Sequence, residues 1–543
     1  MAYQSRRIED YRLLMHDEGE PPLRQSWPPT VEGLKRATKE GIEGYPFDAY
    51  SYGINCSCGA YHPSAVLDRM GHGVGVLKDT GTWTIAESMR RLEAQGLNPT
   101  AIVVEACHEI GLDVVLRVRM NDLHDIFYFE QFSRPDRPPK TPREPGWYYM
   151  CPHKQQHPEL LLGTPAPGPR TRAEVEAYAY NYALGPVRQR QYRFVEETAN
   201  TYDLDGLLID FMRWPHLFKQ EEAYAQRHLF TAYMQRLRAC VQEAAGRRGR
   251  PIHFVARLPE TLDVGLRMGL DIRAWLEQGI LDLVVIGAGY NPFGTPWAEI
   301  AGEAGRHGVP ALVTIRSMGE PPHYGGDVVE LYYRRLRAGA LRAYRHGAAG
   351  LELFNYFYHL PFYEGSVGGP GAGTGFAFTH DIRDPQRLAA LPRTYECSRQ
   401  FSLDYIYGHA CFPGQLPCSI GRAEDGLSHV VTLDIPERLP DDARARLWLQ
   451  LVDLGHEHEL EVSWNGRPLP FDLERDRRRR GSTNLAEVTF ALSPAQVVQG
   501  ENRLGLRLLH RPAELDPFIT LSHALLHVDP PGPEGSGTTP ASA

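Results

Sequence analysis

The chain has 543 residues, 42% hydrophobic and 23% charged, with a formal net charge of -9. That length implies more than one domain, the composition is globular, and the acidic balance disfavours nucleic acid or an anionic membrane as a partner. No run of 18 apolar residues occurs and residues 1–10 are polar and charged, so neither a membrane span nor a secretory leader is expected; the sequence reads as cytoplasmic, or as secreted if it has been trimmed.

Across residues 1–400 short apolar runs alternate with helical periodicity, the pattern of β/α repetition. Eight strands are predicted, at 11–16, 47–53, 113–118, 206–211, 252–257, 281–286, 311–315 and 350–354. Helical patterns at 31–41, 84–96, 98–111, 187–202, 221–246, 271–279 and 326–346 fall between them, the first with Thr30 as its N-cap. Eight such units predict an α/β fold, a (β/α)8 TIM barrel whose active face lies at the C-terminal ends of its strands. Two insertions, 125–172 and 359–380, are long enough to be functional loops and are expected to roof that face. The second contains a Gly-Gly-Pro-Gly-Ala-Gly-Thr-Gly run, which opens no helix after a strand and is not read as a nucleotide loop.

From about residue 402 helical periodicity gives way to short alternating runs at 429–433, 445–451, 458–464, 486–492 and 502–508, with turns such as Asn465-Gly466 between them. Residues 401–530 are therefore predicted as a jelly-roll-like β-sandwich, and 531–543, rich in Pro, Gly, Ser and Thr, as a disordered tail.

Strand parity selects the chemistry. Side chains of a strand alternate between the two faces, so Gly206, Leu208 and Asp210 share one face, and Gly350, Glu352 and Phe354 another. A carboxylate facing the apolar helix layer would be costly, so Asp210 and Glu352 are expected to point into the barrel lumen. Strands four and eight lie opposite each other, and two carboxylates flanking one sugar is the arrangement of glycoside hydrolysis, one acting as nucleophile or base and the other as general acid. The competing reading is that both acids are struts paired with Arg117, Arg119 or Arg257. Asp122 is the third candidate acid.

Arg117, Arg119 and Asn121 alternate toward one face of strand three, with Asp122 and His124 following; such a fork binds hydroxyls or a carboxylate, or else orients Asp210. Strand one exits through His16, Asp17 and Glu18, strand four through Arg213 and Trp214, and strand five through Arg257 and Glu260. Asp205, at the closed end of strand four, is expected to cap or to pair with an arginine. Aromatic residues gather near the strand exits, among them Tyr50, Tyr52, Tyr148, Tyr149, Trp214, Tyr290, Tyr356 and Tyr358, and sugar C–H faces pack well on such rings. The histidines form no His-Glu-x-x-His motif, so no metal or other cofactor is expected. No Gly-x-Ser-x-Gly elbow occurs, which disfavours a serine hydrolase. The eight cysteines make no paired Cys-x-x-Cys signature and are read as free thiols of a reducing compartment.

Several runs together resemble a known family: Asp17-Glu18-Gly19, Arg119 to His124, His157 to Gly163, Asp205 to Pro215, Arg257-Leu258-Pro259, Gly269 to Trp275 and Leu353-Phe354-Asn355. They are similar to those of bacterial glycosyl-hydrolase-like TIM barrels, the glycoside hydrolase family 10-like proteins, across roughly residues 8 to 395. The C-terminal part resembles galactose-binding-like sandwiches, which bind glycans or pack on the barrel. The resemblance implies a carbohydrate-active enzyme by analogy of fold.

The expectation is a glycosidase with Asp210 and Glu352 as principal carboxylates and Asp122 as the alternate. Substrate would be held by Asp17, Arg119, Asn121, His124, Arg213, Trp214, Arg257, Glu260, Tyr290 and Asn355. Its partner would be a carbohydrate, and a homodimer is plausible. The alternatives are a non-catalytic glycan-binding barrel, a metal-dependent lyase or isomerase acting on a sugar, and a scaffold that assembles through its sandwich.

Overall fold

The structure, a computed structural model, describes residues 3–56, 58–74, 76–77, 79–125, 148–165, 171–289, 293–316, 328–356, 376–399, 412–420, 428–455, 457–470, 478–479, 485–515 and 518–531. Tyr290, Tyr358, the glycine-rich run, most of both insertions and nearly all of the C-terminal tail lie outside the described residues.

Eight parallel strands close into a barrel: β1 (Leu13–Asp17), β2 (Ala49–Gly53), β3 (Asp113–Arg119), β4 (Gly206–Asp210), β5 (His253–Leu258), β6 (Leu283–Ile286), β7 (Ala311–Arg316) and β8 (Gly350–Phe354). They pair in the order β1-β8-β7-β6-β5-β4-β3-β2, which sets β4 across from β8. Each boundary falls within two residues of its predicted place. Such runs are buried on both faces, so they read as apolar segments with few breaks. Helices Leu262–Met268 and Ala298–Arg306 lie outside the predicted set. The first is under two turns long, and the second buries mostly small side chains, Ala301 and Ala304 beside Ile300.

Residues 393–529 contribute two antiparallel sheets. One is ordered β9-β15-β11-β13, from Arg393–Glu396, Thr520–Asp529, Arg444–Val452 and Leu485–Leu492. The other is β10-β14-β12, from His429–Ile435, Gly500–His510 and Glu459–Trp464. Leu447, Leu449, Val488 and Leu526 of the first sheet share one core with Leu433, Val462, Trp464 and Leu506 of the second, as a β-sandwich requires. Ala338, on helix Val328–Arg345, joins that core, and Arg342 of the same helix pairs with Asp434 at 2.7 Å. The barrel's last helix is thus in contact with the sandwich.

The barrel interior is layered. Leu14, Ala49, Val115, Leu208, Val255, Leu283, Val285 and Leu312 form an apolar disc, with Ile8 and Tyr11 in the same cluster. At the N-terminal ends of the strands Asp113 accepts hydrogen bonds from the hydroxyls of Tyr3 and Tyr11, both at 2.6 Å. Asp205 there accepts from the Val114 amide, the Ser5 hydroxyl and Arg250, and meets His108 Nε2 at 2.8 Å. Asp205 is therefore the strut expected at the closed end. Asp205→Ala would strand these donors, and should cost about 3 kcal/mol in urea denaturation.

The free-thiol expectation is corrected at one pair. Cys58 and Cys151 form a disulfide across 93 residues, with Cα atoms 5.6 Å apart. Cys56, Cys107, Cys240, Cys397 and Cys418 are free. No helix among the described residues is long and apolar enough to cross a membrane.

Candidate active site

Above the apolar disc the same strand faces turn polar. Asp210 ends β4, and its side chain lies inside the barrel with no solvent exposure. Arg117 of β3 donates to Asp210 Oδ2 at 3.0 Å, Arg257 of β5 approaches the same oxygen at 3.5 Å, and the Met212 amide donates to Oδ1 at 3.0 Å. Arg117 reaches this point because β2 offers Gly53; a Cβ there would lie 2.7 Å from its Nη2.

Glu352 sits in β8, also fully buried. Its Oε2 accepts from the Thr314 hydroxyl of β7 at 2.9 Å, and its Oε1 lies 3.3 Å from His16 Nδ1 of β1. Arg257 Nε lies 3.6 Å from Oε2. One guanidinium thus stands between two carboxylates drawn from opposite strands.

Their environments push the two acids apart. Burial favours the neutral form of both. At Asp210 the charges of Arg257, Arg117 and Arg119 overcome it and hold the carboxyl below the usual carboxylate range. At Glu352 burial prevails over Arg257, Arg117 and the Thr314 hydrogen bond, Asp210 adds repulsion, and the pKa is raised. Burial, with Arg117 and Arg257 nearby, keeps His16 neutral.

A second cluster lies at the exit of β3. Arg119 bridges Asp122 at 2.7 Å and Glu18 at 2.9 Å, and Arg213 meets Glu18 at 3.1 Å. Arg213 also donates to His124 Nε2 at 2.7 Å, which fixes the proton on Nδ1, 2.6 Å from Asp122 Oδ1. Burial would raise the Asp122 carboxyl, but His124 and Arg119 hold it well below its ordinary value. Against burial, Arg213 and Arg119 bring Glu18 down to about 2. The Trp214 and His124 rings stand nearly perpendicular, with centroids 5.7 Å apart.

Cys56, Asp122 and His124 each place one ligand-type atom within 4.8 Å of the others. Arg119 Nη1 lies 2.7 Å from Asp122 Oδ2 and 3.1 Å from Cys56 Sγ, and Arg213 takes the free nitrogen of His124. Guanidinium charge already fills the place of a cation, so the trio does not fit a metal ion.

Two expected ligand contacts are spent elsewhere. Asn121 donates to the carbonyls of Tyr180 and His216 and accepts from the Tyr180 amide, so it braces loops. Asp17 accepts from the Gly19 amide and the Tyr50 hydroxyl, both at 2.6 Å, and its carbonyl accepts from Arg117. Asn355, directly after β8, takes a left-handed backbone at φ 57° and is buried. Glu260 is buried beyond β5. Of the two residues that hold Glu352, His16 is placed at the exit of strand one by the sequence, and Thr314 is legible only as the in-facing neighbour of Leu312.

Burial raises the Asp17 carboxyl to about 7, against the hydrogen bonds from Tyr50 and Gly19. A raised carboxyl contributes stability that is full below its unfolded value and is lost as pH climbs through the folded one. The difference in Tm between Asp17→Asn and the parent should therefore shift in favour of the variant between about pH 4 and 8, in thermal melts.

The chain is thus a (β/α)8 barrel with two arginine-linked carboxylates inside its rim. No family model matches it, and no curated protein does. Among solved structures it is similar to alpha-L-fucosidase isoenzyme 2 from Paenibacillus thiaminolyticus at 14% identity and a TM-score of 0.37, over 63% of this chain and 45% of that one. It is also similar to a maltogenic alpha-amylase from Thermotoga neapolitana at 9% identity and TM-score 0.36, over 93% of this chain and 100% of the other. A chitinase from Chromobacterium violaceum matches at 12% identity and TM-score 0.31, over 63% and 93%. The match to the fucosidase spans less than half of that protein's length.

Proposed function

We propose that this chain is a glycoside hydrolase in which Asp210 is the nucleophile or base and Glu352 the general acid. The observation that carries the reading is the pair itself: opposite strands aim two buried carboxyls at one guanidinium, and their surroundings keep one ionised and favour the proton on the other. Pairs whose environments divide their protonation in this way are suited to acid and base roles. Glu352 would protonate the leaving oxygen, and Asp210 would attack the anomeric carbon or activate water. Arg117 and Arg257 hold Asp210 in place, and Thr314 and His16 orient Glu352. The glycoside hydrolase family 10-like assignment and the galactose-binding-like sandwich belong to the same proposal, with residues 1–400 as catalytic unit. The Cys58–Cys151 bond favours an oxidising compartment over the cytoplasm.

The test is a panel of nitrophenyl glycosides of both anomers, together with polysaccharides. The first-formed anomer, followed by NMR, separates retention from inversion. The ion pairs of Asp210 favour one competing reading, a barrel that binds a glycan without cleaving it. That reading stands if no panel member is turned over and a glycan still binds.

A further inference from the structure

Arg257 shares its carboxylates: Asp210, at 3.5 Å, lies nearer to Arg117, and Glu352 stands at 3.6 Å. Arg117 holds Asp210 at 3.0 Å, Arg119 holds Asp122 and Glu18, and Arg213 holds Glu18. The shortest hydrogen bond of Arg257 runs from Nε to the neutral carbonyl of Gly287, at 3.0 Å. Its Nη1 stands 3.5 Å from the Asp210 oxygen that Arg117 already occupies. Its Nη2 is buried and makes no hydrogen bond among the described residues.

The guanidinium is also held in place. The Phe354 ring lies 4.6 Å from its Cζ, and Gly289, at φ 91°, packs so closely that a Cβ there would come within 2.6 Å of both Nη2 and the Phe354 ring. Among the described residues, other buried polar atoms of this layer also make no hydrogen bond: Arg117 Nε, His16 Nε2 and the Ser51 hydroxyl. A buried charged donor left without an acceptor is costly, and the cost persists unless the ligand satisfies it. A neutral hydroxyl would accept an ordinary hydrogen bond from Nη2, whereas an oxyanion would form the stronger, charge-assisted one.

We infer that the sugar received by this barrel carries an anionic group, a carboxylate or a sulfate ester, that docks on Arg257 Nη2 beside Glu352. The inference rests on the glycosidase reading and names its substrate class. A negative group there would also help keep the proton on Glu352, as the general acid role requires.

Matched nitrophenyl glycosides provide the test: glucuronide against glucoside, galacturonide against galactoside, and a 6-sulfated glycoside against its parent. The anionic member should lead in kcat/KM by about 100-fold, and Arg257→Gln should bring the ratio toward one. The carboxylate and sulfate arms show which oxyanion is taken. Arg257→Lys, which keeps the charge, should retain part of the preference. Turnover of neutral glycosides with no anionic preference overturns the inference and leaves the hydrolase reading intact. If nothing is turned over, the hydrolase reading falls, and calorimetric binding of glucuronate, galacturonate and glucose 6-sulfate against glucose decides the inference. Binding of an acid that Arg257→Gln abolishes supports it. No binding, or equal binding of glucose, overturns it.

Discussion

Asp210→Asn is expected to lower kcat by about 10³-fold or more while KM changes little. Asparagine preserves the shape of the side chain and can still accept from the Met212 amide, so the backbone turn after β4 should persist. What it removes is the negative charge between Arg117 and Arg257. Leaving two buried guanidinium groups without that charge should cost about 3–5 kcal/mol, so Tm should fall as well. Activity is therefore to be read per folded molecule, with circular dichroism beside each assay. A strut would show only the loss of stability. A nucleophile would show in addition that azide restores turnover to Asp210→Ala by occupying the vacated space. Undiminished turnover in folded Asp210→Asn would remove this residue from the chemistry.

Asp210 and Glu352 were legible in the sequence because a strand has period two and a charge in an apolar run has few places to go. The same reasoning failed at Asn121. β3 ends at Arg119, the chain then turns, and parity stops applying two residues before the asparagine. The role of Arg257 was only half legible: position put it at the rim, but its place between the two acids depends on the stagger of β5 against β4 and β8. The Cys58–Cys151 bond joins the segment after β2 to the first insertion, and spacing in the chain says nothing about that approach. The missed strands of the sandwich have their own causes. β9 is Arg-Thr-Tyr-Glu, and it is buried because Arg393 pairs with Glu437 and Glu396 with Arg335. β15 is interior to its sheet and covered on both faces, so its alternation is lost.

Glu352→Gln should act through the proton rather than the charge. The variant keeps an acceptor for the Thr314 hydroxyl but has no proton to give. For glycosides with poor leaving groups kcat should fall by about 10²- to 10⁴-fold, and dinitrophenyl glycosides, which depart unaided, should lose much less. The pH profile carries the sign. The depressed pKa of Asp210 means that activity is lost as pH falls through it, since the ionised form is required. The raised pKa of Glu352 means that activity is lost as pH climbs through it, since the protonated form is required. The parent should therefore give a bell, and Glu352→Gln should keep the acid limb and lose the alkaline one. Stability follows the same linkage: the part owed to Glu352 is full below its unfolded pKa and lost as pH rises through the folded one, and the part owed to Asp210 is lost as pH falls. An alkaline limb that survives in Glu352→Gln would pass the acid role to another group, and Glu260, buried at the exit of β5, would be the next to test.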